Sequence, residues 1–176
     1  MSTYAAPSRL FILMNALCFQ LVWWAGVLAH NQFILLSVLL LISHFLFSKS
    51  VRHDALLMCV CGVMGIAVDS LLLWFGVFEF NITPYWLALL WCYFALSLDY
   101  SLGFFRTLPL WLQSLLGGLF GSLSYLTGAK FDAVVLPLGD VWSALVLALI
   151  WSGLFPVLLW VSNRIVTVDL ALEDHQ

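Results

Sequence analysis

Five polar residues stand inside long apolar stretches, and their types are the ones able to do chemistry: Asn15, Gln20, His44, Asp69 and Asp99. An aspartate at the centre of a membrane-spanning helix costs about 2.5–3.5 kcal/mol on insertion scales. Such residues face a bundle interior or a water-filled cavity, and they are functional candidates by default. A buried aspartate beside a histidine can also exchange a proton near neutral pH. Asp99 and His44, with Asn15 nearby, are therefore candidates for a polar pocket that couples protons or anchors a polar ligand. At 1.5 Å per residue, all three lie about 6–9 Å from one end of their helices. Asp69 lies about 20 Å in, closer to Gln20. The opposing reading has each aspartate protonated, or bonded to a neighbouring Ser, Asn or Trp, so that it only fixes helix register.

Small residues accompany both aspartates. Helical spacing puts Gly62, Gly65 and Gly76 on the face of Asp69, and Ala88, Cys92, Ala95 and Gly103 on the face of Asp99. Small side chains let helix backbones approach closely, so both aspartates belong to helix–helix contact faces. Ser37, His44 and Ser48 share one stripe. Gly117-x-x-x-Gly121 is the small-xxx-small pattern of tight helix packing, and it carries no phosphate-binding meaning without a preceding strand.

These residues need spanning helices to position them, and the composition supplies them. Of 176 residues, 64% are hydrophobic and 9% charged, with a mean hydropathy of +1.09. Soluble domains carry about 25% charged residues, so lipid must take the place of water around this chain. Six apolar segments approach the length a spanning helix needs, about 17–25 residues: 10–29, 32–48, 55–78, 85–105, 110–128 and 141–163. The predicted fold is an all-α, polytopic transmembrane bundle in a single domain spanning residues 1–176. His30-Asn31-Gln32 reads as a tight hairpin and Lys49 to Asp54 as a charged loop. Pro84 and Pro109 stand where helix starts prefer proline. Asp169 to Gln176 reads as a polar tail. Trp23, Trp24, Trp74, Tyr85, Trp86, Trp111, Trp142 and Trp160 fall near segment ends, as an interfacial aromatic belt requires.

Orientation follows from the basic residues. Arg9, Lys49, Arg52, Arg106 and Arg164 share one side of such a bundle, and only Lys130 lies on the other. The positive-inside rule then puts both termini in the cytoplasm. The first segment has some features of a cleaved signal peptide, Arg9 before an apolar run ending in Val27-Leu28-Ala29. Its length, and the presence of Asn15, Gln20, Trp23 and Trp24, favour a retained helix.

Several function classes are excluded. No basic run supports nucleic-acid binding. Cys18, Cys59, Cys61 and Cys92 all lie in apolar runs, read here as packing residues with no metal or disulfide role. The spacings of zincins, nucleophile elbows and intramembrane aspartyl proteases are missing, and no cofactor is expected.

The combination Asn15-x-x-x-Phe19-Gln20-x-x-Trp23, Val68-Asp69-Ser70-Leu71-Leu72, Gly128-Ala129 and Leu136-Pro137-Leu138-Gly139 resembles an uncharacterised membrane family, domain of unknown function 2878. The resemblance covers roughly residues 10–165. It implies a bacterial inner-membrane location and supplies no activity. Three functions compete. The leading one is a small transporter or membrane-embedded substrate-binding subunit, with Asp69 and Asp99 on the ligand path. Six helices in so short a chain are similar in size to the substrate-capture subunits of energy-coupling-factor importers. Ala25-x-x-x-Ala29, however, lies at the wrong end of the first helix for their docking pattern. The alternatives are a lipid-modifying enzyme or its accessory subunit, and a scaffold for other membrane proteins. The expected partners are the bilayer, a small ligand and other membrane subunits.

Overall fold

A computed structural model describes residues 7–173. Its helices are α1 (Arg9–Ala29), α2 (Ile34–Phe47), α3 (Val51–Trp74), α4 (Tyr85–Ser97), α5 (Leu110–Lys130) and α6 (Asp140–Glu173). Short 3-10 turns cover His30–Phe33 and Gly103–Thr107, and no strand occurs among the described residues. The runs Arg9–Phe47, Val51–Trp74 and Asp140–Val166 are long and apolar enough to cross a membrane, and Tyr85–Ser97 is a shorter apolar helix.

Local chemistry sets the boundaries. The Ser8 hydroxyl accepts a hydrogen bond from the Phe11 amide at 3.2 Å and starts α1. The chain reverses at His30, which takes a positive φ of 52°. The reversal is complete: the rings of Phe11 and His44 are 5.2 Å apart, so α1 and α2 form a hairpin. α3 ends in a Schellman motif, with Gly76 at φ 67° and the Val77 amide bonded to the Leu72 carbonyl at 2.9 Å. α5 lies along α6, α3 along α4, and the α1–α2 hairpin leans on α4.

Three spans differ from the sequence expectation. α3 begins four residues early, so the expected charged loop Lys49 to Asp54 shrinks to residues 48–50, and Arg52, His53 and Asp54 join the first turn. The cause is burial: His53 and Asp54 find partners inside the bundle. α4 ends at Ser97, well before the expected residue 105. Beyond it the Tyr100 amide bonds to the Ser97 carbonyl at 3.2 Å and the Leu102 amide to the same carbonyl at 2.8 Å. Asp99 therefore sits in the turn after the helix and not at the centre of a span. α6 continues to Glu173, into the expected polar tail, whose residues 174–176 lie outside the described part.

The centre is held by an indole stack. Trp91 of α4 lies on Trp151 of α6, with centroids 5.5 Å apart and planes 9° from parallel. A β-carbon at Gly65 of α3 would meet Trp91 at 2.0 Å, and one at Gly121 of α5 would meet Trp151 at 2.2 Å. Two glycine backbones thus bracket two stacked rings, and all four of these helices meet there. Gly117 serves the same approach, since a β-carbon there would come within 2.6 Å of Phe155.

One end of the bundle gathers residues 29–33, 75–84 and 131–139. Glu79 and Val135 exchange two backbone hydrogen bonds of 2.9 and 2.8 Å. Asn31 donates to the Thr83 carbonyl at 2.8 Å and accepts from the Trp86 amide at 3.2 Å. The other end gathers Arg9, the loop 48–50, residues 98–109 and Arg164. Trp74, Tyr85, Trp111, Trp142 and Trp160 are exposed, as belt residues should be. Trp86 breaks the expected pattern by turning inward, and Trp23 is partly buried.

Candidate functional site: an aromatic cavity beside two buried histidine–aspartate pairs

A cavity of about 400 Å³ lies between α1 and α4 on one side and α5 and α6 on the other. It reaches from Phe80, Ala133 and Val134 at the looped end to Leu102 and Phe105 near the charged end. It is partly open, and no charged side chain lines it. Its walls are built by one stripe of α1 (Phe19, Gln20, Trp23) facing one stripe of α5 (Gly117, Gly121, Ser124), with Trp86, Trp91 and Trp151 behind. Gly117, Gly121 and Ser124 are spaced by three, four or seven residues and form one face of α5, while Phe19 and Gln20 each share a face of α1 with Trp23. The Trp23 indole donates to the Ser124 hydroxyl at 2.9 Å and bridges α1 to α5.

Asp69 stands behind this wall. It is 4% exposed, and its two oxygens accept from the Trp91 indole at 2.6 Å and the Tyr125 hydroxyl at 2.5 Å. Both donors line the cavity. One carboxyl group on α3 thereby fixes a ring on α4 and a ring on α5.

The second polar feature is a ladder at the charged end. His53 Nε2 lies 2.5 Å from Asp99 Oδ2, and His44 Nε2 lies 3.0 Å from Asp54 Oδ2. All four side chains are nearly or wholly buried. Ser48 donates to Asp54 at 2.6 Å. Arg106 is in salt-bridge contact with Asp99 and donates to the Leu98 carbonyl and the Ser162 hydroxyl, both at 2.9 Å. Consecutive residues His53 and Asp54 on α3 thus face consecutive residues Asp99 and Tyr100 after α4.

The pairing of Asp99 with His44 expected from the sequence is replaced by this ladder. The early start of α3 inserts Asp54 in front of His44, and the early end of α4 swings Asp99 to His53. Asn15 is at the same level but bonds elsewhere: its carbonyl oxygen accepts from the Ser101 hydroxyl at 2.7 Å. Of the five candidates, then, Gln20 lines the cavity, Asp69 braces its wall, and Asn15, His44 and Asp99 belong to the charged end. Sequence reasoning missed His53, Asp54, Tyr100, Trp91 and Tyr125. The adjacent pairs His53-Asp54 and Asp99-Tyr100 were the available signal, because each adjoins a helix end. Among the described residues no group of three or more His, Cys, Asp or Glu side chains is arranged to hold a metal.

The family match follows this geometry. The family described as "Protein of unknown function (DUF2878)" matches residues 12–157. The chain belongs to that family. The DUF2878 stretch carries every cavity-lining residue and both histidine–aspartate pairs. Membership in DUF2878 brings no assigned activity. Comparison with curated proteins finds no match, and comparison with solved structures finds none either.

Proposed function

We propose that this chain binds a small apolar molecule within the bilayer, as a small transporter or a membrane-embedded substrate-binding subunit. One observation carries the reading: a partly open cavity of about 400 Å³, walled largely by tryptophan and phenylalanine and lined by no charged side chain. Ligand sites are concave, mostly apolar and about 300–1,000 Å³ in volume. The basic residues at one end support the orientation: that end faces the cytoplasm, and both chain termini with it. The inner membrane of a bacterium is the proposed location.

The polar ladder supports a holding role in this reading. His44, Asp54, His53, Asp99 and Arg106 tie α2, α3, α4 and the turn before α5 together beneath the cavity. Asp69 orients the two aromatic walls.

A second reading, a lipid-modifying enzyme, is favoured by the Tyr125 hydroxyl, which donates to Asp69 at the edge of the cavity. A phenol coupled to a carboxylate beside a bound lipid has the parts of an acid–base pair.

Native mass spectrometry of the protein released from its membrane tests both. A small apolar adduct on wild type, lost in Leu116→Trp, which fills the cavity, is the expected result. An adduct recovered chemically changed after incubation would favour the enzyme. No adduct on either protein would leave neither reading standing and turn attention to a scaffold.

A further inference from the structure

Gln20 is out of place for a lipid-facing residue. It lies 11 positions after Arg9, about 17 Å along a helix of about 31 Å, so its depth is near mid-membrane. Its side chain is exposed and also lines the mouth of the cavity. An amide facing hydrocarbon without a partner is costly. One turn further along α1, Trp23 is tied to Ser124 across the gap. Beyond this bridge and the contact of Trp24 with Phe131 at the end of α5, α1 packs mainly on α2 and α4, while α5 packs on α6. The gap between α1 and α5 thus opens sideways toward lipid, with a free carboxamide at its lip.

Deepening the binding function proposed above, we infer that the cavity takes a single-chain amphiphile with one uncharged oxygen head, a hydroxyl or a carbonyl. The molecule enters from the bilayer between α1 and α5, and Gln20 hydrogen-bonds its head. Three features select this chemistry. The carboxamide both donates and accepts, which suits an alcohol or a carbonyl. No charged residue lines the cavity to pair an ionic head, and an unpaired ion there would be strongly disfavoured. The cavity is long, lined at both ends of the bundle, yet lies at the small end of ligand-site volumes. One chain fits that shape and a two-chain phospholipid does not.

Tryptophan fluorescence in lipid nanodiscs tests this, because bromine quenches an indole on contact and several indoles line the cavity. The probes are a bromine-tipped decanol, the matching bromodecane, and a bromine-tipped decyl trimethylammonium. The alcohol is expected to quench saturably and the ammonium probe not to saturate. Gln20→Leu, which puts a more apolar side chain against lipid, should weaken the alcohol about threefold to tenfold, the effect of one neutral hydrogen bond. It should leave bromodecane unchanged. Equal binding of alcohol and alkane, both insensitive to Gln20→Leu, would overturn the head assignment while leaving the cavity as a binding site. Saturable quenching by no probe would overturn the binding function as well. A change in oligomeric state on Gln20→Leu, with alcohol binding unaltered, would make the lip a contact between copies and also overturn the proposal.

Discussion

The Tyr100 hydroxyl lies 2.9 Å from one oxygen of Asp54 and 3.0 Å from the other. With His44 and Ser48 on the same carboxylate, a fully buried aspartate is bonded from α2, from the loop after it and from the turn after α4.

Replacing that carboxyl should therefore be severe. Asp54→Asn is expected to cost about 3–5 kcal/mol, the usual loss when one partner of a buried pair is taken away. Asp140 gives the contrast, because its 2.9 Å contact with Lys130 is well exposed on both sides. Exposed pairs contribute about 0–1 kcal/mol, so Asp140→Asn should be nearly silent. Thermal melting of the two variants in detergent compares them directly; equal losses would refute the ladder as a stabilising core.

Asp99 has two partners rather than one, His53 and Arg106. Asp99→Asn leaves Arg106 without its carboxylate and is expected to lower the folded yield, by about 3–5 kcal/mol. Arg106→Gln in the same chain should restore part of the loss, since no buried charge is then left unpaired. A double-mutant cycle on melting temperature reads the coupling. Strictly additive losses would show that the two side chains do not interact.

Space at the helix crossings is the third test. Gly121→Ala places a β-carbon 2.2 Å from the Trp151 ring, which forces that ring to move. Overpacking of this kind costs about 1–3 kcal/mol. Gly153→Ala, at a position with open space around it, is the control and should melt like wild type.

Topology follows from which segments share an end. A reporter fused after Gln176 is expected to read as cytoplasmic, and one inserted near Asp132 as external. The opposite pattern would reverse the charge-based orientation while leaving the bundle itself unchanged.

The sequence made the helices legible because lipid-facing residues must be apolar, and long apolar runs are conspicuous. Gly117 and Gly121 were also readable, since close packing demands small residues at fixed spacing. The polar ladder was not. Hydropathy sees 85–105 as one run, although the chain turns after Ser97 so that Asp99 and Tyr100 reach α3. His53 and Asp54 resembled a solvated loop because a charged stretch at a helix boundary has the same composition whether it faces water or a buried partner. Which histidine meets which aspartate is a fact of three helices in space. The cavity was hidden for a similar reason: Trp86 lies at a helix start like a belt residue, and only the fold turns it inward.

Two stacked indoles between glycine backbones also have a consequence for light. Rings 5.5 Å apart and held 9° from parallel share their electronic transitions, and one of them is polarised by a carboxylate at 2.6 Å. Both rings form part of the cavity wall. The stack is therefore an optical gauge built into the centre of the protein, and its near-ultraviolet circular dichroism is expected to change if a ligand fills the cavity.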